Sequence, residues 1–229
     1  MSNLPAAVLT QLLGVRLENA SLEQLLGRYV AIAQDGLPGM DEVSITLIRN
    51  ERPFTAAHTG ELALAADELQ YGYGYGPCLD AGQSGEVLTI PDMTRETRWP
   101  EYASKVAAQG VLSAVSVPLP LQTDLIGALN WYGRSTGVPE AELGAGVELA
   151  SHVAVAVGNA VTYSDSAKFA ADMRAAMASR AVIEQAKGVI MAQNRCGPDQ
   201  AFEILRTASM GRNVKLRDLA RQMVLKLHD

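Results

Sequence analysis

Six basic side chains gather near the end of the chain: Arg206, Arg212, Lys215 and Arg217 around Gly211, with Arg180 and Lys187 seven residues apart just upstream. Ser209, Met210 and Asn213 lie among them. Guanidinium planes stack on exposed bases and fork onto phosphates, while Asn and Ser hydrogen-bond to what a loop presents. This is chemistry for holding a polyanion. Charge over the whole chain points the same way. Residues 168–229 carry 11 Lys and Arg against 6 Asp and Glu, and residues 1–167 carry 8 against 19, within a total of −6. A basic module on an acidic body raises the local potential where phosphates approach. Asn213 has a second reading as a helix cap, and Arg221 and Lys226 read as plain surface charge.

Bond-breaking chemistry finds no assembled site. The chain has three histidines and no HExxH, GxSxG or clustered Asp/Glu pair. GYGYGP places Pro77 where GxGxxG needs its last glycine, and no GxxxxGK[ST] occurs. Cys78 and Cys196 lie far apart without CxxC spacing, which gives neither a disulfide framework nor a metal knuckle. The expectation is a protein that is not an enzyme and holds no metal and no cofactor.

The basic residues require helices to position them. Pro198 fits a first helical turn after Gly197, and Ala201, Phe202, Leu205 and Ala208 make a buried stripe in a helix from Pro198 to Ser209 that Gly211 ends. Leu216, Leu219, Ala220, Met223, Val224 and Leu227 make a second stripe, and Ile183, Ala186 and Ile190 a third. Three short amphipathic helices sharing one core form a small bundle. Upstream, one long proline-free helix starts near Glu140, with Gly158 or Tyr163–Ser166 as the points where it could break. Its residues Val153, Val157, Ala160, Ser164, Ala167 and Ala171 follow a 3-4 spacing that fits either a coiled-coil seam in a dimer or a helix packed inside one subunit.

The body reads differently. Two helices between Pro5 and Gln34, with Asn19 or Ser21 as the cap between them, precede a hairpin of Glu42–Ile48 and Pro53–Thr59 turning at Arg49–Arg52. A helical piece leads into the glycine and tyrosine loop, then a short helix Pro77–Ala81 and a strand Glu86–Ile90. A helix Trp99–Gln109 and a second hairpin, Val111–Pro118 with Leu125–Arg134 around Gln122–Asp124, complete it. The result is an α+β domain with an antiparallel sheet of five or six strands, residues 1–160, followed by a connector helix and a helical domain, residues 161–229. No stretch reaches the apolar length of a membrane span, and the start lacks the basic n-region of a signal peptide, which indicates a cytoplasmic protein.

Two family patterns emerge from these residues. SRAVIEQAKGVIM at 179–191, AFEILRTAS at 201–209 and NVKLRDLA at 213–220 resemble the ANTAR domain over Met173 to Val224. That resemblance implies an RNA-binding transcription antiterminator, whose helical bundle binds paired RNA stem-loops and prevents a terminator hairpin, with dimerisation or activation supplied by an attached sensor. The candidate contacts, chosen from residue chemistry and position, are Arg180, Lys187, Arg206, Ser209, Met210, Arg212, Asn213, Lys215 and Arg217. GPCLDA at 76–81, RWP at 98–100, GVLS at 110–113, SVPL at 116–119 and GALNWY at 127–132 resemble a GAF domain over about residues 20–160. This implies a sensory or dimerising module with a pocket between the sheet and the crossover segment. Such a pocket would gather Tyr71, Tyr73, Tyr75, Cys78 and Trp131, with His58 nearby, around an unidentified small molecule; the same tyrosines also read as the lid of a packed core. No NKFDE-like sequence is present, and Leu79 rather than histidine follows Cys78, which disfavours cyclic nucleotides and bilins. A homodimer gated by the GAF domain is the expected assembly. Two alternatives remain open: a duplex-DNA-binding helix-turn-helix regulator, and a ligand sensor whose tail docks a protein.

Overall fold

The computed structural model describes residues 4–15, 22–121, 125–163 and 166–225, with the side chains of residue 13 and residues 160–178 outside the description. The expected caps Asn19 and Ser21, the turn Gln122–Asp124, and Lys226 and Leu227 lie outside the described residues. The chain divides into two compact units, Met1–Asp172 and Met173–Asp229.

The first unit starts with α1 (Ala6–Leu13) and α2 (Leu22–Gln34), then the hairpin β1 (Glu42–Arg49) and β2 (Arg52–His58). Its two turn residues, Asn50 and Glu51, take φ of 51° and 61°, the left-handed pair that lets a two-residue turn match the strand twist. Next come α3 (Glu61–Tyr73), α4 (Pro77–Ser84), β3 (Leu88–Ile90), α5 (Pro100–Ala108), β4 (Ser113–Pro118), β5 (Ile126–Gly133) and α6 (Leu143–Tyr163). The five strands form one antiparallel sheet in the order β2-β1-β5-β4-β3.

Register assigns the side chains to faces. Ser44, Asn130 and Ser116 are direct partners across β1, β5 and β4, and Thr46 pairs with Ala128 in the next row. Direct cross-strand partners share a face and neighbours along a strand alternate. One face therefore carries Ser44, Thr46, Asn130, Tyr132 and Ser116 toward α3, α4 and α5. The other carries Val43, Ile45, Leu47, Leu129 and Trp131 toward α2 and α6. Both faces are covered, so β1 is buried along most of its length and β5 along all but its first residue. In β2 the register slips by one residue between the partners of Ile45 and Thr46. The bulge keeps both Thr55 and His58 on the polar face. Helix α4 lies close to β5 because Gly82 has no side chain: a Cβ there would come within 3.1 Å of Ile126 and 3.3 Å of the Gly127 carbonyl.

The expected long helix is two in the structure, α6 and α7 (Ser166–Asn194). Of the expected seam, Val153 and Val157 are fully buried within the first unit, where α6 packs on α2 and β4; Ala160, Ser164, Ala167 and Ala171 fall outside the described side chains. The exposed large hydrophobic residues described on α6 are Val147 and Val155, 43% and 63% exposed. No helix among the described residues is long and apolar enough to cross a membrane.

The second unit packs the end of α7 with α8 (Pro198–Arg212) and α9 (Leu216–Leu225). Its core is Ile183, Ala186, Ile190, Ala201, Phe202, Leu205, Leu216, Leu219 and Ala220, as periodicity indicates. Two expectations are corrected. Helix α8 runs through Gly211 to Arg212, because Gly211 stays helical and the left-handed residue that ends the helix is Asn213, at φ 50°. Asn213 therefore closes α8 rather than opening α9, since its short polar side chain tolerates a conformation costly for other L-residues. The buried stripe of α8 also ends on Ser209 in place of Ala208, which is only half-buried.

Phe202 is 6% exposed and lies under the ammonium of Lys187, 6.0 Å from the ring centre. Truncating it leaves a cavity in a small bundle with few other large side chains, so Phe202→Ala should destabilise the second unit by ~3–5 kcal/mol. Urea unfolding followed by far-ultraviolet circular dichroism checks this, and a loss under about 1 kcal/mol would show that the site collapses around the smaller residue.

Candidate functional site

A hydrogen-bonded polar network runs between the sheet and α3–α4. Asp67, on the inner side of α3, is fully buried. Its Oδ1 accepts from the Tyr132 hydroxyl at 2.5 Å and its Oδ2 from the Thr55 hydroxyl at 2.8 Å. Thr55 and Thr46 each lie within hydrogen-bond distance of the Tyr71 hydroxyl, at 3.0 and 2.9 Å. The Asn130 amide donates to Ser44 and Thr46 at 3.1 and 3.0 Å. Gln70 links to the next helix, since its Nε2 donates to the Tyr132 hydroxyl at 3.3 Å and its Oε1 accepts from the Cys78 backbone N–H at 2.8 Å. Glycines frame that helix: Gly74 caps α3 at φ 75°, and Gly76, at φ 153°, precedes Pro77.

The RWP stretch fastens the same region. Arg98 pairs with Glu96 at 2.6 Å, donates to the Thr89 carbonyl of β3 at 2.7 Å and covers the Trp99 ring. Trp99 donates its indole N–H to Asp80 of α4 at 2.8 Å, and Pro100 starts α5.

Of the five residues expected to form a pocket, Tyr71 and Cys78 do meet, in a buried cluster with Ile48, Leu79 and Ala128. Tyr73 and Tyr75 stack at 5.8 Å on the edge of the neighbouring cluster around Tyr102 and Tyr132. Trp131 does not belong to the set. Strand alternation turns it to the opposite face, where its indole donates to the Ala33 carbonyl at 2.9 Å and Gly146 lies against the ring. Tyr132 takes its place. His58 lies at the edge, its Nδ1 3.0 Å from the Gly60 carbonyl. Missing from the expectation were Asp67, Gln70, Asn130, Ser44 and Thr46. The usable signal was Ser and Thr at alternate positions of EVSITLI, in a strand whose remaining residues show burial on both sides.

Burial dominates the titration here. It pushes Asp67 up to about 6, although hydrogen bonds from Tyr132, Ser44 and Thr55 and the charge of His58 pull the other way. It also pushes the Tyr71, Tyr102 and Tyr132 hydroxyls and the Cys78 thiol well above their ordinary values, with Asp67 adding to each. Cys78 is thus a neutral, inert thiol, since the thiolate is the reactive form. Among the described residues no group of His, Cys, Asp and Glu is arranged to hold a metal ion.

In the second unit the expected contact residues separate into two kinds. The turn after α8 is a closed Schellman motif: Val214 N–H reaches the Ser209 carbonyl and Asn213 N–H the Met210 carbonyl, both at 3.2 Å. Ser209 is 2% exposed and donates its hydroxyl to the Val214 carbonyl at 2.6 Å, so it holds the turn from inside. Met210, Arg212, Asn213 and Lys215 are exposed on it, Met210 by 61%, and Arg217 follows half-buried, 3.9 Å from Asp218. Lys187 and Arg206 are engaged elsewhere. Lys187 pairs with Glu184 at 2.8 Å, and Arg206 donates Nε and Nη2 to Glu203 at 3.1 and 2.7 Å. Arg180 is half-buried on α7.

An acid whose folded-state value is raised is more stable protonated. The Asp67 contribution is therefore fully present below about 3.8 and is lost as pH rises through about 6. A shift of roughly two units corresponds to about 3 kcal/mol. Asp67→Asn should raise the melting temperature of the first unit at pH 8 and flatten its decline between about pH 4 and 7. Parallel melting-temperature profiles for variant and wild type would show that ionised Asp67 carries no such cost.

Comparison with known proteins fits both halves. Residues 19–158 match the GAF domain family and residues 171–224 match the ANTAR domain. Among solved structures, the GAF domain from an Acinetobacter phosphoenolpyruvate-protein phosphotransferase is 19% identical, covering 72% of this chain and 99% of that one at a TM-score of 0.52. The phycocyanobilin-bound GAF domain from a cyanobacterial phytochrome is 20% identical over 69% and 96% of the two chains, with a TM-score of 0.54. Free methionine-R-sulfoxide reductase from Neisseria meningitidis, in complex with its substrate, is 19% identical over 67% and 87%, with a TM-score of 0.52. At these identities the likeness is one of fold. No curated protein matches the sequence. GAF and ANTAR domains are regulatory rather than catalytic modules, although the GAF fold also occurs in enzymes such as that reductase. The chain belongs to the GAF family, and its GAF domain is followed by an ANTAR domain, the module of RNA-binding antitermination regulators.

Proposed function

We propose that the protein is a cytoplasmic transcription antitermination regulator whose ANTAR domain binds paired RNA stem-loops and so prevents a terminator hairpin from forming. In this reading it acts as a homodimer, paired or gated by the sensory GAF domain. The domains divide near residue 160, with α7 as the connector leading into the RNA-binding unit.

The observation that carries the reading is the rigid turn after α8. It exposes Met210, Arg212, Asn213 and Lys215 together while Ser209 and Val214 hold the backbone from inside. A preorganised basic turn with an exposed thioether suits an RNA loop, whose unstacked bases offer apolar faces beside phosphates. Helices α7 and α8 are joined by only Arg195–Gly197, a short hairpin connection that favours an antiparallel pair. Such a pair would carry Arg180 toward the same end as the turn. Ser209 is assigned to the fold, and Lys187 and Arg206, already ion-paired, contribute only by sharing their charge with phosphate.

Titrating the full chain with a two-hairpin RNA and with a DNA duplex of equal charge, at two salt concentrations, tests this. RNA should bind more tightly, and scrambling the loops should weaken it. Arg212→Ala and Lys215→Ala should each lower affinity several-fold and reduce the salt slope by about 1, with melting unchanged. Equal binding to DNA, or indifference to the loops, would favour a duplex regulator. Absence of binding to either would favour a tail that docks protein.

A further inference from the structure

We propose that the polar face of the sheet beneath α4 is a binding site for a compact cationic hydrogen-bond donor of the amine or amidine class, held by Asn130, Ser116 and Tyr102 beside Asp67. The proposal deepens the reading of the first unit as sensory and rests on it.

Three fully buried side-chain atoms in this region have no hydrogen-bond partner among the described residues: Asn130 Oδ1, Ser116 Oγ and the Tyr102 hydroxyl. Native interiors rarely leave such atoms unmatched, and each one calls for an explanation. Asn130 and Ser116 are direct partners on adjacent strands of the polar face. Tyr102 reaches in from α5, close enough to Asp67 and Cys78 for their charges to act on it. All three can accept a hydrogen bond. Asn130 Oδ1 can only accept, its amide N–H groups being already given to Ser44 and Thr46. A matching ligand must therefore bring a donor for Asn130 Oδ1, and further donors can be accepted by the two hydroxyls.

Its charge follows from Asp67. The titratable groups around that carboxyl are Tyr71 on its own helix, His58 on β2, Cys78 on α4, Tyr102 on α5 and Tyr132 on β5. Only His58 among them can be positive, and it lies at the exposed edge. Burial accordingly holds the carboxyl up at about 6, so its negative charge is poorly compensated. A cation relieves that deficit, and an anion deepens it.

Entry is by displacement of α4. This short helix lies across β4 and β5, ends in left-handed glycine at Gly85 and follows Gly76 at φ 153°. It is pinned by Gln70 at the Cys78 N–H and by Trp99 at Asp80. The Trp99 indole therefore reports the movement.

Acetamidinium, acetamide and acetate share size and shape and differ only in charge. Saturation-transfer NMR on the full chain at pH 7.5 and pH 5, with tryptophan emission in parallel, compares them. Acetamidinium should bind about tenfold more tightly than acetamide at pH 7.5, acetate should not bind, and the preference should weaken about tenfold at pH 5 as Asp67 takes up its proton. Asp67→Asn should abolish the preference, and Ser116→Ala should weaken acetamidinium several-fold. Acetate binding as well as acetamidinium, a cation preference that survives both low pH and Asp67→Asn, or no binding by any probe would each overturn the proposal. RNA affinity of the same preparation is read separately: bound acetamidinium that leaves it unchanged would count against the sensory reading and leave the site standing.

Discussion

The buried polar network of the first unit centres on the hydrogen bond from Tyr132 to Asp67. The sheet is covered on both faces, and the face under α3 and α4 carries hydroxyls and an amide where an ordinary core would carry Val or Ile. Those groups had to be satisfied from above, because water does not reach them. Asp67 and Gln70 of α3 bond Thr55, Tyr132 and the Cys78 backbone, joining β2, β5 and α4 through one helix. A fully buried carboxyl is an expensive way to satisfy a core, and its value near 6 records the residual cost. A polar core kept at such a cost fits a module that must respond better than one that only has to stay folded, since buried polar networks define one arrangement sharply and react to whatever changes their charge.

The second unit solves a different problem by similar means. Its bundle is too small to fix a loop by packing alone, so the turn after α8 is fixed by backbone closure and by one buried hydroxyl. That division explains why neighbouring residues of one motif take opposite roles. Ser209 and Val214 face inward and set the shape, while Met210, Arg212 and Lys215 face outward at defined positions. The ion pairs Glu184–Lys187 and Glu203–Arg206 lie on the helices away from this turn, where an i,i+3 pair steadies a surface and contributes little to stability.

Much of this was legible in the sequence, for identifiable reasons. Alternation in EVSITLI and the apolar runs of β4 and β5 marked the strands, and Pro77, Pro100 and Pro198 marked helix starts, because these signals are local. Family motifs supplied the two domain identities that periodicity could not. What stayed hidden was non-local. Which face Trp131 takes depends on the register of β5 against β1 and β4, and one residue of difference exchanges it for Tyr132. Asp67 looked like an ordinary helical acid until the sheet was placed beneath it. Gly211 looked like a helix terminator, yet Asn213 does that work, since the competing closure through Ser209 and Val214 becomes apparent only in three dimensions.

Charge is partitioned sharply between the two halves of the chain. The body carries 8 basic against 19 acidic residues and the tail 11 against 6, so an RNA that meets the chain is repelled by most of its length and attracted by the last quarter. At physiological ionic strength the Debye length is ~8 Å, so neither effect reaches far beyond the surface that produces it. Net charge over the whole chain is therefore a poor guide to where a polyanion is attracted; the charges within a Debye length of each surface set that. An acidic body offers little attraction to a polyanion, which leaves the basic last quarter of the chain as the electrostatically favourable surface for one.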